Sequence, residues 1–124
     1  MKFIDITEKE STVAIQDNCY FDFIDVISSL MSQLPEDSIF KMRSKFSGSR
    51  YTMPETYKTI VKCREGDEYS VAEGRRQAAK KLEANKKRSM IKRAYTLRDD
   101  IFRGLELVEK WLEKNDPNFE IYES

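Results

Sequence analysis

From Val71 to Lys114 the chain carries no proline and only two glycines, Gly74 and Gly104, in a run dominated by Ala, Lys, Arg, Glu and Leu. Nothing in that run is strong enough to stop a helix, and most of its side chains lose little freedom in one. Ser70 stands where an N-cap belongs, and Glu73 follows three residues later, the spacing of a capping box. The pattern predicts a helix starting near Val71 and ending at Asn115-Asp116-Pro117. Its polar stretch from Glu83 to Ser89 fits either a hinge or an exposed middle, so one long helix and a helical hairpin are both compatible. Beyond that stretch, Met90, Ile91, Ala94, Tyr95, Phe102, Leu105, Val108 and Trp111 or Leu112 form an apolar stripe, which could also join two copies into a homo-oligomer.

The first half reads differently. Lys2–Ile6 and Ser11–Gln16 are short and β-branched with a polar Thr7–Glu10 between them, which predicts a hairpin. Phe23, Ile24, Ile27, Leu30, Met31 and Leu34 recur at helical spacing, with Asp17 or Asn18 to cap the start and Pro35 to stop the end. Ser38–Phe46 fits a strand or a short helix, Thr59–Cys63 a strand, and Phe119, Ile121 and Tyr122 a short edge strand. The expected fold is α+β in a single domain, residues 1–124: a small antiparallel sheet packed by an N-terminal helix and a long C-terminal helix or helical hairpin.

Charge is the strongest functional signal. The formal total is zero, yet residues 1–40 hold two basic and eight acidic side chains, residues 41–98 seventeen and six, and residues 99–124 three and eight. Such sorting points to an anionic partner, to pairing between the blocks, or to both. On the expected helix Arg76, Lys80 and Lys87 fall near one side and Lys81 and Arg88 on an adjoining stripe, with Lys92 and Arg93 extending the positive face. These seven are the candidate partner- or phosphate-binding residues, because Lys and Arg neutralise phosphates by releasing counterions. Phe46 and Tyr51, interleaved with Lys45 and Arg50, are candidates for stacking on a base.

Catalysis is the weaker expectation. The chain has no histidine, which removes the commonest general base and zinc ligand, and no spacing of its acids resembles a metal-ligand set. No enzyme activity, cofactor or metal is expected. Cys19 and Cys63 form no CxxC pair and read as thiols of a reducing compartment. With no long apolar segment and no signal-peptide core, the expected location is the cytoplasm, away from membranes.

The stretch from Ile60 to Ala78 joins a strand ending in Cys63 to Asp67, Tyr69, the capping Ser70 and Gly74 inside the next helix. This local pattern resembles one in small, mostly uncharacterised phage and prophage proteins, some of them anti-defence proteins. The resemblance covers under a fifth of the chain and implies a bacterial host cell and two modes of action. One is an inhibitor of the anti-CRISPR kind, acting on a host nucleic-acid-handling defence protein through the basic central surface. The other is a sponge for a cyclic nucleotide signal, of the Thoeris anti-defence type. A DNA- or RNA-binding accessory protein is the remaining expectation.

Overall fold

The computed structural model describes residues 1–38 and 50–120. Three strands form one antiparallel sheet in the order β1-β2-β3, with β1 at Lys2–Ile6, β2 at Ser11–Gln16 and β3 at Tyr57–Lys62. The hairpin pairs Phe3 with Ala14 and Asp5 with Thr12, and β3 lays Thr59 beside Ala14 and Val61 beside Thr12. Since successive strand residues face opposite sides, Phe3, Thr12, Ala14, Thr59 and Val61 share one face. That face carries the long helix.

Helix α2 runs without a break over Val71–Asn115, 45 residues, or about 67 Å at the usual rise per residue. Glu83 to Ser89 is therefore neither hinge nor turn, and of the two expected forms the single helix is the one adopted. Its start is capped as the spacing predicts on one side only. Ser70 Oγ accepts the Glu73 backbone N–H at 3.4 Å, while the Glu73 carboxylate turns away to accept from Arg76 and Gln77.

Ala78 and Leu82 of α2 pack on Ala14 with Phe3, Tyr57 and Val61 around them. Gly74 sits still closer: a Cβ there would lie 2.4 Å from Thr12 Oγ1. The buried Thr59 hydroxyl donates to the Ala78 carbonyl at 3.0 Å and stitches strand to helix. Further along, Leu97 joins Phe23, Ile27 and Met53 in a second cluster, flanked by Tyr20, Tyr51, Met90 and Ile101.

Helix α1 spans Tyr20–Met31 and buries Phe23, Ile24 and Ile27. Two expectations about it are corrected. Asn18 adopts a left-handed conformation, φ 62, and the N-cap is Cys19 with no side-chain cap bond, so neither Asp17 nor Asn18 caps the helix. Asp17 instead accepts from Thr56. The helix also stops at Met31, ahead of Pro35, as Ser32 turns its N–H and hydroxyl onto the Ser29 carbonyl; Leu30 is exposed, and Leu34 lies beyond the end. Ser38–Phe46 lies outside the described residues from Ile39 onward, as do Ile121 and Tyr122; Phe119 lies in no strand.

Candidate functional site

The charge blocks do pair across the fold, and this decides which cations are left over. Asp5 of β1 takes Arg75 through both carboxylate oxygens, with contacts down to 2.5 Å, and the Arg75 guanidinium holds the Asp5 carboxyl below its usual range. Lys86, on the inward side of α2, has only 12% of its side chain exposed and lies 3.3 Å from Asp22 of α1. Burial acts against its charge, but Asp22 and Glu83 outweigh that and leave its pKa raised. Arg50 reaches Asp100 at 3.3 Å, where the Tyr51 hydroxyl also donates. Each of these joins the basic block to an acidic end of the chain.

The seven candidate residues on α2 separate accordingly. Arg76 is held by Glu73 one turn before it, 2.7 Å away. Lys81 donates to the Ile60 carbonyl at 3.0 Å. Arg93 is half-buried and donates to the Thr52 carbonyl and to Ser89. Lys80, Lys87, Arg88 and Lys92 are exposed, and their side chains make no hydrogen bond or ion pair among the described residues. At about 100° per residue they occupy one broad outer side of the helix, and the row from Lys80 to Lys92 extends about 18 Å.

Three apolar side chains share that side. Ile91, Tyr95 and Phe102 are exposed, and the Arg98 guanidinium lies 4.7 Å over the Tyr95 ring. The sequence pattern groups all three with Met90, Leu105 and Val108 in one apolar stripe. The inward line instead runs through Ala78, Leu82, Met90, Leu97 and Ile101. Leu97 and Ile101 escape a search for an unbroken apolar line because Lys86, Ser89 and Arg93 interrupt it, each satisfied inside the fold. The face is thus a row of unpaired cations with apolar side chains interleaved. It can neutralise an extended anionic surface while offering rings to pack on.

Tyr51 packs against the Phe23–Leu97 cluster and spends its hydroxyl on Asp100, an interaction that pushes its pKa up. Phe46 lies outside the described residues. A cleft of about 490 Å³ opens between β3 and the first turns of α2, lined by much of the Val61–Gln77 stretch. Glu10, Asp67, Glu68 and Glu73 line it against Lys62, Arg64 and Lys81, a mixed wall that does not select for phosphate. Cys63 lines the same cleft with its thiol pushed up by burial and by Glu10 and Asp67, whereas Cys19 is fully buried; both are free thiols. Among the described residues no group of three or more Cys, Asp or Glu could hold a metal ion, and no helix is long and apolar enough to cross a membrane. Comparison with protein-family models, with curated proteins and with solved structures finds no match.

Proposed function

We propose that this chain is a non-catalytic binding protein, an anti-defence inhibitor of the phage type, which engages an anionic surface of a host nucleic-acid-handling protein. The outer face of α2 makes the contact. One observation carries the reading: among the described residues, Lys80, Lys87, Arg88 and Lys92 have no counter-charge after the acidic ends of the chain have taken Arg75, Lys86 and Arg50. Four exposed cations away from the two ends, which hold eight acidic side chains each, give the outer side of α2 a local positive field that favours an anionic partner.

The same row supports a second reading, direct binding to nucleic acid, because its length and its interleaved Ile91 and Tyr95 suit a phosphate backbone with bases beside it. The sponge reading draws less support, since the described cleft is rimmed by four carboxylates. Two experiments separate the first two. In an affinity capture from bacterial lysate, a protein partner is retained whether or not the lysate is treated with nuclease, while a nucleic-acid ligand is lost on treatment. In a titration with a labelled duplex, four phosphate contacts give a log-log salt slope of about −3.6; a flat response excludes direct nucleic-acid binding. Loss of all capture together with a flat salt response would overturn both readings.

A further inference from the structure

The last third of α2 leaves the body of the protein. Ile101 still packs against the Phe23–Leu97 cluster, but beyond it Phe102 (58% exposed), Leu105 (45%), Val108 (57%) and Trp111 (63%) stand in solvent. Phe102 belongs to the cationic outer side, half a turn away from Trp111, while Leu105, Val108 and Trp111 share an arc of about 120° and expose on the order of 350 Å², within the range of the largest patch on a typical monomer. Helical spacing carries Leu105, Val108 and Leu112 forward in the same line as the buried Leu97 and the half-buried Ile101, so the core seam of the protomer continues onto the end of the helix.

We infer that this segment, residues 98–115, pairs antiparallel with the same segment of a second copy of the chain. Three observations select that occupant and that direction. The helix is polarised: ten basic and two acidic side chains lie between Val71 and Arg98, against three basic and five acidic between Asp99 and Asn115. A parallel pair would set the two strongly basic halves side by side, and it would bring the two folded bodies to the same end. An antiparallel pair places the bodies at opposite ends, aligns the helix dipoles favourably and brings the acidic end of each helix alongside Arg98 of the other. In the register that centres the seam, Leu105 faces Val108 of the second copy, Ile101 faces Leu112, and Arg98 comes level with Asn115, one turn or less from Glu113. Finally, burying this strip on both copies, with the half-buried Ile101 and Leu112 and the flanking charged stems, reaches about 1,000 Å² in total, the size a specific interface must clear.

Pairing here leaves Lys80, Lys87, Arg88 and Lys92 outside the contact, so it stands or falls separately from the proposed function. The test is sedimentation of the purified full chain at tens of micromolar. The wild type should sediment as a dimer, and Leu105→Glu/Val108→Glu as a monomer with unchanged circular dichroism, because both side chains are already exposed in the single copy. Direction is read by a short bismaleimide in a Cys63→Ser background. Arg98→Cys and Asn115→Cys proteins should cross-link when mixed, and neither should cross-link alone. A monomeric wild type, a double-Glu variant that stays dimeric, or an Arg98→Cys protein that cross-links with itself would each overturn the inference, the first leaving the strip to a different partner.

Discussion

Replacing Gly74 with alanine asks whether α2 is set against β2 as closely as described. In an exposed helix interior the change stabilises by about 1 kcal/mol, because alanine loses less backbone freedom than glycine. At Gly104, where an added Cβ meets nothing within 4 Å, that gain should appear in full. At Gly74 the new Cβ would lie 2.4 Å from Thr12 Oγ1. Thr12 is fully buried on the central strand and β-branched, so its side chain has little freedom to turn away. Overpacking of this kind costs about 1–3 kcal/mol, which outweighs the gain and leaves a net loss of about 1 kcal/mol, a fall of about 4 °C in Tm. Removing the hydroxyl should reverse the sign: in a Thr12→Ala background, Gly74→Ala should stabilise like Gly104→Ala. The assay is urea denaturation of the parent and of Gly74→Ala, Gly104→Ala, Thr12→Ala and Thr12→Ala/Gly74→Ala, all in a Leu105→Glu/Val108→Glu background so that self-association does not enter. If Gly74→Ala stabilises as much as Gly104→Ala with Thr12 in place, the close approach of helix and sheet is wrong.

Two further substitutions probe the same core and its charged margin. Leu82→Ala empties a fully buried position between α2 and the sheet and should cost about 3 kcal/mol in denaturant; a loss below about 1 kcal/mol would mean that the helix is not anchored there. Glu73 is held at about 2, against an ordinary 4.5, chiefly by the Arg76 hydrogen bond and then by Gln77. Its folded-state pKa is lowered, so its contribution is complete above about pH 4.5 and fades as the pH falls toward 2. Glu73→Gln should therefore lower stability near neutrality, where the charged carboxylate is in place, and flatten the profile between about pH 4.5 and 2 so that the two proteins converge in acid; identical slopes in the two proteins would count against the Glu73–Arg76 pair.

Much of the fold was legible because its signals are local. Ser70 and Glu73 locate the start of α2 within a residue, and the β-branched runs at Lys2–Ile6 and Ser11–Gln16 are the strands of the hairpin with those bounds. The errors arise where distant contacts decide. Asn18 has a capping side chain but takes a left-handed turn as Cys19 N–H reaches back to the Glu55 carbonyl, a partner 36 residues away. The continuity of α2 through Glu83–Ser89 agrees with the helix propensity of that run, whereas the inward turn of Lys86 to Asp22 is something no local propensity reports. Contacts in space also govern the candidate surface. Seven cations look equivalent in a one-dimensional pattern, and only the positions of Glu73, Ile60 and Thr52 in space distinguish the three that are engaged from the four that are not.

The central claim is that those four cations are the working surface. It is tested most directly by comparing wild type with Lys80→Ser/Lys87→Ser/Arg88→Ser/Lys92→Ser in quantitative capture from nuclease-treated bacterial lysate. Circular dichroism should first show an unchanged fold, as expected for substitutions at exposed positions. A nucleic-acid-handling protein should be retained by the wild type and reduced at least tenfold with the variant, since losing several charged contacts removes well over 1.4 kcal/mol. Equal retention by the folded variant would contradict it and move the binding surface elsewhere on the molecule.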